Sequence, residues 1–173
     1  PSASASVSAS APPAWSPALP EPDLVPETVE EQREAMFRRM TVMLELDEPA
    51  IGRVRAIFTK SKVLSQGNPK LTKYAMTRGE CQTRRAAANV VDPDEPMCGA
   101  RFMAPLWDAK GGKSKADASV CIDRYEFPGI PCEYPVTWVQ AYEAAELCEA
   151  IGKRLCDAHE WEGGCAGSLL PPE

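Results

Sequence analysis

The stretch Cys121-Ile122-Asp123-Arg124-Tyr125-Glu126 is followed by Pro128-Gly129-Ile130-Pro131 and then by Thr137-Trp138-Val139-Gln140. Gly152-Lys153-Arg154-Leu155-Cys156 and Glu160-Trp161-Glu162 complete the part of the chain that decides its fold. The β-branched and aromatic run from Ser119 to Phe127 predicts a strand, and the Pro-Gly-Ile-Pro run turns the chain. Thr137 and Gln140 have the spacing of a helix capping box, in which a hydroxyl takes a free backbone N–H and the third residue reaches back. The helix it predicts carries Ala141, Ala144, Ala145 and Cys148 and stops at Gly152, a residue suited to the left-handed turn that ends helices. Asp157-Ala158-His159-Glu160 predicts one more short helix.

Upstream, the signals are helical. Thr28-Val29-Glu30-Glu31 is a capping box, and Met36, Phe37, Met40, Met43 and Leu44 follow at helical spacing. Asp47-Glu48-Pro49 starts a second helix with Asp47 as cap and Ile51, Val54, Ile57 and Phe58 as its apolar stripe. Together they predict an αα-hairpin whose methionine-rich stripe is ordinary core. Gly67-Asn68-Pro69 marks a turn within a loop over 62–76, and Thr77-Arg78-Gly79-Glu80 opens a third helix to about Ala88. Residues 108–118 form a charged, glycine-containing, exposed loop. Helices come first, then a strand and two helices, with further strands still owed. With no βαβ repeat, this order predicts an α+β fold.

The first 26 residues differ from everything after them. Pro1-Ser2-Ala3-Ser4-Ala5-Ser6 runs into Pro12, Pro13, Pro17, Pro20, Pro22 and Pro26 with few apolar anchors. Such a stretch buries too little surface to offset its ordering entropy, so it reads as an extended tether or as a plain tail. Three parts result: a Pro/Ala/Ser-rich tether over 1–26, a helical region with loops over 27–119, and a final unit over 120–173.

Seven cysteines (Cys81, Cys98, Cys121, Cys132, Cys148, Cys156 and Cys165) occur with a single histidine, His159, and no Cys-x-x-Cys pair. Structural metal sites draw on tight Cys or Cys/His pairs, so these spacings favour disulfides and therefore an oxidising compartment. Proximity suggests Cys81 with Cys98, Cys121 with Cys132 across the Pro-Gly turn, and Cys148 with Cys156 across Gly152. An odd count leaves one thiol over. Lys153 and Arg154 beside Cys156 are expected to lower its pKa if it is free. The net charge of −6 and the pI of about 5.0 exclude a general nucleic-acid or anionic-membrane binder. No apolar run is long enough to cross a bilayer. The expected location is therefore exported: periplasmic, cell-surface or extracellular, with the tether placed as it is behind the lipid anchor of exported lipoproteins.

From Val120 to about Gly167 the chain resembles the N-terminal half of the formylglycine-generating enzyme (sulfatase-modifying factor) family. The resemblance rests on Ile122-Asp123-Arg124-Tyr125-Glu126, Pro135-Val136-Thr137-Trp138, Ala144 to Cys148, Gly152-Lys153-Arg154-Leu155 and Glu160-Trp161-Glu162, in that order. It implies the first half of a C-type-lectin-like fold. Cys156-Asp157 stands where the family has Pro-Thr, with Asp157 keeping the cap, and Gly163-Gly164-Cys165-Ala166-Gly167 replaces a Tyr-Ala-Ala-Arg-Gly run. This marks a divergent, cysteine-rich branch. Asp123, Glu126, Trp138, Gly152, Arg154 and Trp161 are then scaffold: the tryptophans buried, and Arg154 paired with Asp123 and Glu126.

The resemblance also bears on chemistry. Active members use a pair of copper-binding cysteines in the C-terminal half, and iron oxidases of the same fold use several histidines. Neither set has a counterpart in this sequence, so no catalytic residue, metal ligand or cofactor is assigned to it. The expectation is a non-catalytic exported structural or protein-binding module. It would be one fragment of a cleaved two-chain protein, with a companion chain carrying the C-terminal half, other envelope or extracellular proteins as partners, and Cys165 bridging the chains. The alternative is half of a copper- or iron-dependent oxidase whose catalytic residues lie on the companion.

Overall fold

Two N-terminal helices build the centre of the molecule. A computed structural model describes residues 26–166; the expected tether, apart from Pro26, and the end from residue 167 onward lie outside them. Helix α1 spans Val29–Met43 and α2 spans Glu48–Lys60. Thr28 accepts from the Glu31 N–H at 3.1 Å while the Glu31 carboxylate takes the Thr28 N–H, as the capping box requires. Asp47 caps α2 through the Ala50 N–H at 2.8 Å. The apolar stripes meet as expected: Met36, Phe37, Met40, Ile51, Val54 and Phe58 are buried, with the Phe37 and Phe58 rings edge-to-face at 5.2 Å.

The same core takes in later parts of the chain. Leu64, Phe102, Ile130, Leu147 and Ala150 complete it. Polar contacts reinforce the join. Arg53 donates to the Ala150 carbonyl at 2.9 Å, and the Thr137 N–H donates to the Ser65 carbonyl at 2.8 Å. Arg39 grips the Glu133 carboxylate with two nitrogens, and only 4% of that side chain is exposed. A buried bidentate pair of this kind fixes geometry, and removing one partner strands the other.

Helix α3 covers Arg78–Ala87 with the predicted Thr77/Glu80 box in place, and α4 covers Ala141–Ala150. The α4 cap differs from the expectation. Gln140 occupies the cap position with Glu143 reaching back to its N–H, whereas Thr137 is drawn into the bridge with Ser65. A tertiary hydrogen bond outcompetes the local box. The exit is as expected. Gly152 lies at φ +75, its N–H donates to Glu149, and the Lys153 N–H donates to Cys148 at 2.8 Å, which closes the helix end.

The sheet has two short antiparallel strands, β1 at Met103–Leu106 and β2 at Val120–Asp123. The predicted strand is thus shorter than 119–127, because the chain turns away after Asp123. Its partner was not foreseen. β1 holds only four residues, including Pro105, and proline in a strand argues against one unless it sits at an edge. The exposed loop over 108–118 joins them. The last helix, α5 at Ala158–Ala166, packs on both strands. Gly164 permits this approach: a Cβ there would lie 2.9 Å from Ile122 Cδ1. The fold is mixed, helices with a small antiparallel sheet, as the α+β expectation has it. Among the described residues no helix is long and apolar enough to cross a membrane.

Candidate protein-interaction site

The disulfides are Cys81–Cys132 and Cys98–Cys121. Both local pairings expected from proximity are therefore exchanged: each bond reaches across the fold, the first tying α3 to the turn before Pro135, the second tying the loop ahead of β1 to β2. Cys148, Cys156 and Cys165 are free thiols, so Cys148 and Cys156 do not join across Gly152. Neither of those two is activated. Burial raises the Cys148 thiol, with the Asp123 carboxylate adding to it. Burial likewise raises Cys156, and Glu160 opposes the effect of Arg154. The lowering expected from the neighbouring cations is outweighed.

The ion pairs around the quoted motif are rearranged too. Arg154 forks onto Glu160, not onto Asp123 or Glu126. Asp123 is held by Lys153 instead, and Glu126 is exposed at the turn, where its carbonyl accepts the Gly129 N–H at 2.8 Å. The Arg154 hydrogen bonds, aided by the Asp157 N–H, hold the Glu160 carboxyl down at about 2. Asp157 returns the favour by accepting from the Glu160 N–H at 2.8 Å, so the predicted cap of α5 forms. His159 is exposed on α5. Among the described residues no group of three or more His, Cys, Asp or Glu side chains could hold a metal ion.

Trp138 and Trp161 depart furthest from expectation. Both were expected in the core, and they are 78% and 59% exposed. Trp138 also sits at φ +61, a backbone region that bulky residues rarely adopt. Trp161 stands over a groove of about 550 Å³ beside the sheet. Ala104, Leu106, Trp107 and Ile122 line its apolar part, and Cys165 lies one helical turn beyond Trp161 on the same face of α5. The charges at its margin are already matched with one another. Glu95 takes Lys115 at 2.5 Å and Arg124 at 3.7 Å, and Lys153 takes Asp123. An apolar centre within a self-satisfied polar margin is the anatomy of a protein interface.

The sheet edge beside this groove is also open. The Arg124 N–H donates to the Phe102 carbonyl at 2.9 Å, so that facing pair is hydrogen-bonded and the next one along, Met103 with Asp123, is not. Alternation then aims the backbone groups of Cys121 and Asp123 away from β1. No backbone hydrogen bond from another described segment reaches either residue on that edge. On the β1 side Pro105 has no N–H, and Arg124 Nε donates to the Met103 carbonyl at 3.1 Å.

No protein-family model matches the chain, and neither the curated proteins nor the solved structures compared with it give a match.

Proposed function

We propose that this chain is a non-catalytic, exported structural or protein-binding module, completed by a companion chain. The observation that carries the reading is the open groove in which Trp161 and Cys165 stand one helical turn apart beside an uncapped strand edge. The companion adds a strand along β2, using the outward groups of Cys121 and Asp123, and covers Trp161 with apolar side chains. Cys165 then forms the bond between the chains. The two internal disulfides fit an oxidising compartment and an exported module.

The test is the intact mass of natively purified material, with and without reductant, followed by peptide mapping. The reading expects a second polypeptide that separates only on reduction and maps to Cys165. Cysteine pairs or histidine clusters in that polypeptide would move the assignment to the oxidase alternative, with copper or iron held there. A single species with Cys165 as a free thiol in native material contradicts the bridged, two-chain reading.

A further inference from the structure

The loop that joins β1 to β2 takes no part in the core. Residues 109–117 are nine consecutive exposed positions, and no exposed run among the described residues is longer. The backbone hydrogen bonds of this loop are local. The Lys113 N–H donates to the Asp108 carbonyl at 3.0 Å, the Gly112 N–H to Ala109 at 3.3 Å and the Asp117 N–H to Ser114 at 2.9 Å. Lys115 is tied outward, to Glu95 at 2.5 Å. Lys110 and Lys113 are exposed and in no ion pair with a described residue. Gly111 and Gly112 separate them, so the chain between can be drawn out at little steric cost.

A folded chain is cut where a segment opens without breaking the core, and an endoprotease whose specificity pocket ends in a carboxylate takes lysine there. The bonds Lys110–Gly111 and Lys113–Ser114 meet both conditions, each with a small residue after the cut. Other exposed lysines lie beside anchors. Lys62 is two residues from the buried Leu64, and Lys70 lies in a turn closed on the Asn68 carbonyl. Lys73 precedes Tyr74, whose hydroxyl donates to the Gln66 carbonyl at 3.0 Å. The sequence over 1–25 and 167–173 holds no lysine or arginine. Both disulfides also close over this loop, since Cys81–Cys132 and Cys98–Cys121 each join a cysteine before it to one after it. A cut inside the loop therefore releases nothing.

We propose that this loop is a processing site, at which a lysine-specific endoprotease converts the single chain into a two-chain form held by the two disulfides. Water is the co-reactant. It adds across the amide, the C–N bond breaks, Lys110 or Lys113 keeps a carboxylate and the next residue gains an ammonium group. The proposal is independent of the companion-chain reading: both fragments come from this sequence, and neither is held through Cys165.

The test is brief digestion of the full, oxidised chain with a lysine-specific endoprotease, read by intact mass. The expected first product is one water heavier before reduction, and parts on reduction into two fragments that meet at Lys110 or Lys113. Lys110→Gln together with Lys113→Gln should remove that product, and because both side chains are exposed the double variant keeps the dispersed amide spectrum of the fold. A first cut after any other lysine, or an equally fast cut in the double variant, would overturn the proposal. Natively purified material should already carry the same two fragments, and native material uncut at both lysines would overturn it as well.

Discussion

The helical centre and the sheet end of this molecule solve the same burial problem to different degrees. In the centre, α1 and α2 bury their stripes against one another and against Ile130, Leu147 and Ala150, and Glu133 is held between arginines. At the sheet end, two four-residue strands and α5 leave Trp161 exposed and the β2 edge uncapped. A closed core stabilises by what it already contains, whereas an open face leaves apolar surface in water. With the open face as the proposed partner site, stability and recognition separate along this chain, and substitutions should divide accordingly.

The largest effect is expected in the centre. Phe58→Ala removes a fully buried ring that meets Phe37, and should cost roughly 3–5 kcal/mol in denaturant unfolding. A loss under about 1 kcal/mol would mean that the helical core is not the main source of stability. Next comes the staple of the sheet end. Replacing Cys98 and Cys121 together by serine opens a link across 23 residues and should cost about 3 kcal/mol. The loss should appear first in hydrogen exchange of β1 and β2, with α1 and α2 remaining protected.

Smaller effects follow at α5. Asp157→Ala deletes the cap that accepts the Glu160 N–H and should cost about 1 kcal/mol. The Glu160 carboxyl, held down at about 2, lies below the ordinary value of about 4.3. Its contribution is present above that ordinary value and fades as pH falls from there through 2. A carbon-13 titration should put its midpoint near 2; a midpoint above 4 would remove the Arg154 pairing from the account. The smallest stability effect belongs to Trp161→Ala, within about 0.5 kcal/mol for the isolated chain, because the ring is exposed. The same substitution should sharply weaken retention of the proposed companion in native material, and unchanged retention would remove Trp161 from the proposed interface.

Local signals in the sequence were read well where local physics decides. The caps at Thr28, Asp47, Thr77 and Asp157 and the stop at Gly152 each depend on a few adjacent residues, and all form. The readings that failed needed knowledge of distant neighbours. Thr137 leaves its box because Ser65 lies beside it, two of the three predicted local disulfides yield to partners across the fold, and Cys148 and Cys156 stay free. Arg154 meets Glu160, only six residues on, because the α5 cap brings that carboxylate round. The groove was not legible at all: half of its sheet is β1, whose Pro105 hides it, and tryptophan in a motif reads as core unless the surface around it is known. The motif resemblance implied that both tryptophans are buried, and both are exposed.

Hydroxyl-radical footprinting of the isolated chain and of natively purified material tests the contrast most directly. The account predicts Phe37 and Phe58 protected in both samples, and Trp161 oxidised readily in the isolated chain but protected in native material. Equal oxidation of Trp161 in the two samples would contradict it, because the open face would then have nothing that covers it.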